Sequence, residues 1–128
     1  MPDLVAPFEI TGWDEDPYLV PDHGPKLSRV TVRKRFTGPL HGESVAELLT
    51  VQGDGGQSYV ASERVEASLE GRTGTFVIQH GASMGPDESR SFGHVVPGSG
   101  TGDLAGLSGD ASFEHDDGGA RLLLSYEL

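Results

Sequence analysis

Apolar and polar residues alternate along most of this chain, in runs that are separated by glycine-rich and proline-rich turns. Turn-forming sequences occur at 37–39, 53–56, 71–72, 85–87 and 116–119. Alternation with a period of two is typical of strands that bury one face and expose the other. The pattern predicts eight β-strands, at 4–13, 27–37, 42–52, 57–70, 73–83, 88–97, 109–116 and 119–128.

Eight long strands in 128 residues, joined mostly by short turns, predict one all-β domain over residues 1–128. Consecutive strands that pair antiparallel form an up-and-down meander. Closing such a meander removes the two exposed edges, at which unpaired backbone groups promote aggregation. We therefore expect a single antiparallel eight-stranded up-and-down β-barrel around one interior.

Three segments complicate this pattern. Residues 44–49 have apolar positions at helical spacing and a capping-box sequence, but we predict a strand because the neighbouring strands need a partner. The proline-rich segment 14–26 is predicted to be a long connection over one mouth of the barrel. The glycine-rich segment 97–107 has neither the lysine nor the following helix of a phosphate-binding loop. We expect it to turn the chain, with Leu104 and Leu107 plugging one end of the barrel.

Composition and charge narrow the range of functions. The chain has 20 acidic and 9 basic residues, and its formal charge of -11 repels DNA and RNA, so we expect no nucleic-acid partner. The absence of cysteine excludes disulfides and thiolate metal sites. The amino terminus has no signal-peptide pattern, and no stretch approaches the roughly 18 apolar residues of a membrane span. We expect a cytoplasmic protein that does not contact the membrane.

Hairpin registers predict which side chains point into the barrel, because opposed residues lie symmetrically about the turn. A turn centred on 71–72 places Glu63 opposite His80, on a face that is otherwise apolar. Equivalent registers for the two neighbouring hairpins add His94 and Glu47. The predicted interior therefore contains a polar row of Glu47, Glu63, His80 and His94.

This polar row suggests general acid–base catalysis. Two neighbouring carboxylates in an apolar interior cannot both ionise without cost, so the pKa of one rises, and an adjacent imidazole can share its proton. Glu63, His80, His94 and Glu47 are therefore candidate catalytic residues for general acid–base chemistry near neutral pH. One alternative is a hydrogen-bonded cluster that only holds the strands in register. A metal site is the other, but no compact ligand motif is present, and we expect no metal.

Large apolar and aromatic side chains are expected to surround the polar row and to contact a ligand in the interior. The same registers and strand faces select these candidate ligand-binding residues: Trp13, Tyr59, Phe76, Ile78, Phe92 and Tyr126.

Several stretches of the chain resemble a bacterial family known as domain of unknown function 3224. They are GWD at 12–14, YVASER at 59–64, GRTGTF at 71–76, QHG at 79–81, VVPGSGTGDLAGL at 95–107 and SYEL at 125–128. The resemblance implies the fold of the allene oxide cyclase-like barrels, a fold class that also contains bacterial natural-product cyclases acting without cofactors. No activity is established for the family, so the resemblance carries over no catalytic residue.

Three functions remain open at this point. The first is a barrel that binds a small apolar or amphipathic molecule in its interior. The second is an isomerase or cyclase that uses Glu63 and His80 and needs no cofactor. The third is a packed barrel that acts through its surface, for example as a homodimer.

Overall fold

The computed structural model describes residues 3–128, which form eight antiparallel strands that close into a barrel in chain order. This confirms the predicted all-β barrel. Across residues 3–128, no helix has the length and apolar character needed to cross a membrane. The strands are β1 (Asp3–Leu19), β2 (Lys26–Phe36), β3 (Leu40–Gln52), β4 (Gln57–Leu69), β5 (Arg72–Met84), β6 (Ser89–Val95), β7 (Ser108–Asp116) and β8 (Gly119–Glu127). A short 3-10 helix, Gly102–Leu104, lies between β6 and β7.

The predicted strands agree with the structure except in the proline-rich segment 14–26. There, β1 continues to Leu19 and pairs with β2, so that only residues 20–25 form a loop. β1 pairs with β8 only as far as Phe8, and its later part therefore has one free edge. Pro17 lies in this edge segment, next to one of the bulges, and edges and bulges are the places where strands accommodate proline. The β1–β2 register shifts at two bulges, between Ile10 and Gly12 and between Pro17 and Leu19, and such bulges bend a strand locally.

The segment 44–49 forms the middle of β3, as predicted, although its spacing alone suggests a helix. It pairs with β2 on one side and with β4 on the other over its whole length. Hydrogen bonds to two neighbouring strands satisfy every backbone group of the segment and override its weak local preference for a helix.

One end of the barrel is closed by the glycine-rich segment. Leu104 and Leu107 are fully buried there, in a core cluster with Phe36 and Leu69, as the sequence predicts. Ser99 and Thr101 hold the segment against β5 through hydrogen bonds with its backbone. These two hydroxyls therefore have a structural role, and the glycine-rich segment forms a plug across the closed end of the barrel.

The plug approaches β5 closely because position 74 has no side chain. A methyl group on Gly74 would lie 2.0 Å from the backbone oxygen of Thr101 and 3.3 Å from Cβ of Leu104. The backbone of Thr101 donates to the carbonyl of Thr75 at 2.8 Å, next to this contact. Any larger residue at position 74 would push the plug away from β5.

Candidate functional site

Glu63 and His80 both point into the barrel, as predicted, although the predicted pairing is two residues out. Glu63 lies opposite Ile78 in the β4–β5 ladder, and His80 lies opposite Ala61. A shift of two residues keeps every side chain on its predicted face, whereas a shift of one would reverse it. The two side chains still meet diagonally, with His80 Nε2 lying 2.9 Å from Glu63 Oε1.

The prediction that His94 and Phe92 face the interior is wrong. In the β5–β6 ladder Ile78 pairs with Val95, so the true register differs from the predicted one by one residue. The connecting turn is closed by a hydrogen bond from Gly85 N to Glu88 O, and its centre therefore lies between residues 86 and 87. His94 points outward beside Gln79, and Phe92 is 52% exposed on the outer surface.

The prediction that Glu47 joins the interior row is wrong for the same reason. Gly53 N donates to Gly56 O, so the β3–β4 turn is centred between residues 54 and 55 and not on Gly55 itself. Glu47 then lies opposite Ser62 on the outer face. Its carboxylate accepts hydrogen bonds from Arg29 and Thr31 there.

The predicted ligand-binding residues separate into three groups. Tyr59 lines an interior pocket, and Trp13 lies at its rim with 55% of its surface exposed. Phe76 and Ile78 are fully buried in the core at the closed end and do not line this pocket. Tyr126 also belongs to that core, where its hydroxyl donates to the carboxylate of Glu70. Phe92, on the outer face, forms the third group.

Lys34 and Ser44 complete the interior cluster, and sequence reasoning missed both. Lys34 Nζ lies 3.0 Å from Glu63 Oε1, and Ser44 Oγ donates to Glu63 Oε2 at 2.6 Å. A signal for Lys34 exists in the sequence, because it occupies the same alternating face as Val30, Val32 and Phe36. A charged residue within such an apolar face predicts a buried partner of opposite charge.

Aromatic rings enclose the ammonium group of Lys34. Its Nζ lies 4.6 Å from the centre of the Phe8 ring and 4.3 Å from that of Phe113. The Phe113 ring also packs on His80, with ring centres 4.4 Å apart. Gly93 lies opposite His80 in the β5–β6 ladder, and a methyl group there would lie 2.2 Å from the backbone oxygen of Ala111 on β7. The cation is therefore held by one carboxylate and two ring faces.

The surroundings of Glu63 decide its charge. Burial is the largest single effect and opposes ionisation. The hydrogen bond with His80, the charge of Lys34 and the hydrogen bond from Ser44 together outweigh it and lower the pKa of Glu63 to about 2. Glu63 is therefore an ionised acceptor of three hydrogen bonds, in contrast to the predicted carboxylate with a raised pKa. That prediction depended on a neighbouring Glu47, which lies outside the barrel.

A chain of hydrogen bonds connects Glu63 to the pocket. Tyr59 Oη lies 2.9 Å from His80 Nδ1, and the other nitrogen of the ring contacts Glu63. Because the ionised Glu63 can only accept, His80 Nε2 carries a proton, and in the neutral form of the ring Nδ1 accepts from the Tyr59 hydroxyl. Burial, followed by the charge of Glu63, raises the pKa of Tyr59, so this hydroxyl keeps its proton.

The pocket occupies the open half of the barrel and has a volume of about 420 Å³. Tyr59, His80 and Lys34 form its polar floor, above the packed core of the closed end. Its walls are mostly apolar and include Phe8, Val32, Leu48, Ala82, Met84 and Phe113. Glu63 itself has no exposed surface and is connected to the pocket through His80 and Lys34.

The candidate metal ligands do not converge. His94 and Glu47 lie outside the barrel, so that of the four candidates only His80 and Glu63 lie within it. Throughout residues 3–128, no group of three or more histidine, cysteine, aspartate or glutamate side chains is arranged to hold a metal ion. The interior carboxylate is already neutralised by Lys34.

Comparisons with known proteins agree with this architecture. A family model described as "Protein of unknown function (DUF3224)" matches residues 4–128. The chain is also similar to the crystal structure of a protein of unknown function from that family, from Shewanella oneidensis MR-1. The two are 31% identical, the match covers 100% of this chain and 98% of the other, and the TM-score is 0.89. Among curated proteins, none matches this chain.

Proposed function

This chain belongs to the family of proteins of unknown function DUF3224, and we propose that its barrel binds a small amphipathic molecule in the open half of its interior. The observation that carries this proposal is the pocket of about 420 Å³, with mostly apolar walls and a polar floor. Pockets for small molecules typically combine apolar walls with a few polar groups that orient the ligand. A barrel that acted only through its surface would gain stability by filling this volume with side chains.

The polar cluster under the pocket also supports the proposal. Within residues 3–128, every buried side-chain nitrogen and oxygen has a hydrogen-bond partner. The cluster therefore needs no ligand to be stable, and it presents Tyr59 and His80 at the floor in fixed positions. A binding site of this kind is preorganised, so little ordering of side chains opposes binding.

Filling the pocket tests this proposal. Ala82 lines the pocket, and Ala82→Phe is expected to weaken binding of the neutral fluorescent probe N-phenyl-1-naphthylamine by about 10-fold or more, because the new ring occupies the space of the probe. Ser83→Phe is the matched control, since Ser83 is the next residue of β5 and is exposed on the outer face. Probe fluorescence titrations measure both. Equal affinity in the two variants, or no saturable binding to the unchanged protein, would reject the interior site.

A cofactor-free isomerase or cyclase is the second candidate, favoured by the hydrogen-bonded chain Tyr59–His80–Glu63. In such a reaction Tyr59 Oη takes a proton from a carbon next to a carbonyl while its own proton passes to His80 Nδ1. The C–H electron pair becomes the enolate, and the ionised Glu63 stabilises the imidazolium. Since Glu63 has no surface in the pocket, it acts here as a positioning residue.

Proton exchange tests this second candidate without knowledge of the substrate. If the Tyr59–His80–Glu63 chain acts as a proton relay, the protein is expected to accelerate exchange of the α-hydrogens of 2-tetralone in D₂O. NMR measures this exchange. The acceleration is expected to fall by about 100-fold in His80→Phe, a typical contribution of general acid–base catalysis. His94→Phe is the control, because His94 points outward. Absence of acceleration by the unchanged protein, or its persistence in His80→Phe, would exclude the relay and leave the binding proposal intact.

A further inference from the structure

The hydrogen-bonding capacity of the pocket floor shows which polar group a ligand can bring there. When the His80 imidazole is neutral and its Nε2–H is donated to Glu63, the only hydroxyl proton of Tyr59 is donated to His80 Nδ1. The Tyr59 oxygen keeps lone pairs that face no described donor. Tyr59 and His80 can therefore accept a hydrogen bond from a ligand but have no free proton to donate to it.

Lys34 is a donor on the same floor, but its ammonium group is neutralised and shielded. Its ammonium group is bound to Glu63 at 3.0 Å and otherwise faces the rings of Phe8 and Phe113. Its side chain is 8% exposed. A ligand carboxylate would have to compete with an ionised carboxylate that is already in place, and the two negative charges would repel each other at short range.

Thr50 offers a second acceptor beside Tyr59. The two residues lie directly opposite each other on β3 and β4, and both line the pocket. The hydroxyl of Thr50 donates to the backbone carbonyl of Ser28, so its oxygen is also left as an acceptor. Neighbouring strands thus present two oxygens whose protons are used elsewhere.

The mouth of the pocket carries negative charge. Each of the four connections at the open end of the barrel contains at least one acidic residue: Asp22 in 20–25, Asp54 in 53–56, Asp87 and Glu88 in 85–88, and Asp117 in 117–118. Nearby cations are already paired, Lys26 with Glu15 at 2.8 Å and Arg121 with Asp116 at 2.7 Å. With a formal charge of -11 on the whole chain, this rim disfavours the entry of anions.

We infer that the pocket selects neutral apolar molecules that carry a hydroxyl group, and that it discriminates against carboxylates. The ligand hydroxyl donates to Tyr59 Oη, with Thr50 Oγ1 as the neighbouring acceptor, while the apolar body of the ligand contacts the walls. This inference rests on the proposed binding function and names the ligand class for it.

Three probes with the same ring system test the selectivity. 2-Naphthol can donate a hydrogen bond, 2-methoxynaphthalene can only accept, and 2-naphthoate is an anion. Isothermal titration calorimetry at pH 7 is expected to show 2-naphthol binding about 5- to 10-fold tighter than 2-methoxynaphthalene, the size of one hydrogen bond. 2-Naphthoate is expected to bind weakest of the three.

Two substitutions test which residues cause the preference for 2-naphthol. Tyr59→Phe is expected to weaken binding of 2-naphthol several-fold and to leave that of 2-methoxynaphthalene unchanged, because only the acceptor oxygen is lost. Thr50→Val is expected to act in the same direction by a smaller factor. Tyr18→Phe is the control, since Tyr18 is 59% exposed on β1 and is not a pocket residue. Unchanged binding of 2-naphthol in Tyr59→Phe would overturn the assignment of Tyr59.

The outcomes distinguish the inference from the function on which it rests. If the three probes bind equally, or if 2-naphthoate binds tightest, the selectivity is wrong while interior binding stands. If none of the three binds, the proposed binding function fails and the selectivity fails with it. Preference for 2-naphthol that disappears in Tyr59→Phe and persists in Tyr18→Phe supports both.

Discussion

Replacing Glu63 by glutamine is expected to lower the free energy of unfolding by about 3–5 kcal/mol, the usual cost of removing one partner from a buried ion pair. Lys34 is nearly inaccessible to water and contacts Glu63 at 3.0 Å. In the variant its ammonium group stays in the interior without a counter-charge. Ser44 and His80 also lose their ionised acceptor. Urea unfolding at pH 7 measures the change.

Two further variants make this prediction specific. Adding Lys34→Met to Glu63→Gln removes the unpaired cation and is expected to recover at least about 1 kcal/mol. Glu47→Gln removes an exposed carboxylate that pairs with Arg29 on the outer face and is expected to cost about 1 kcal/mol or less. A further loss on adding Lys34→Met would show that the ion pair does not dominate the stability of this interior.

This expectation also changes how an activity assay should be designed. Loss of turnover in Glu63→Gln does not by itself assign a catalytic role, because the variant is expected to be much less stable. Tyr59 and His80 are better positions at which to test chemistry, since both line the pocket and Glu63 does not. Folding of each variant must be verified by its unfolding curve before its activity is interpreted.

Acid is expected to remove about 3 kcal/mol of stability through Glu63 alone. The pKa of Glu63 falls from an ordinary value of 4.5 to about 2 on folding, so the unfolded chain binds its proton first as pH falls. The contribution is fully present above pH 4.5 and is lost as pH falls towards 2, with about 2 kcal/mol gone by pH 3. Urea unfolding between pH 6 and pH 3 follows the loss.

The double variant Lys34→Met/Glu63→Gln isolates this contribution. It lacks the Glu63 carboxylate but keeps the exposed acids whose pKa values are also lowered, Glu15 beside Lys26 and Asp116 beside Arg121. Their effects cancel when the two proteins are compared at each pH. The difference in stability between the unchanged protein and the double variant is expected to shrink by about 2 kcal/mol from pH 6 to pH 3. A constant difference would contradict the depressed pKa of Glu63.

The predictions for Glu63 and His80 survived because of how strand faces alternate. The predicted register of their hairpin differs from the true one by two residues. A register error of an even number of residues leaves each side chain on its predicted face, so both still point into the barrel. The neighbouring hairpins were each one residue out, which moved His94, Phe92 and Glu47 to the outer surface. Turn sequences in which several residues can occupy the centre do not determine a register to within one residue.

Lys34 shows a different limit of sequence reasoning. Its place on the buried face of β2 follows from alternation, but its partner lies 29 residues away on a strand that is not adjacent to β2. The pair spans the intervening strand β3, which pairs with β2 on one side and with β4 on the other. Pairing rules between adjacent strands cannot predict contacts of this kind.

The sequence by itself determined the all-β class, the eight strands, the plug formed by Leu104 and Leu107, and the inward faces of Glu63 and His80. These features depend on local alternation, turn composition and the burial of apolar side chains, which are all properties of short segments. Only the tertiary structure decided which polar groups share the interior and that half of it stays open as a pocket of about 420 Å³. Those properties depend on barrel closure, which brings side chains from distant strands together and so determines their charge, their hydrogen bonds and the space between them.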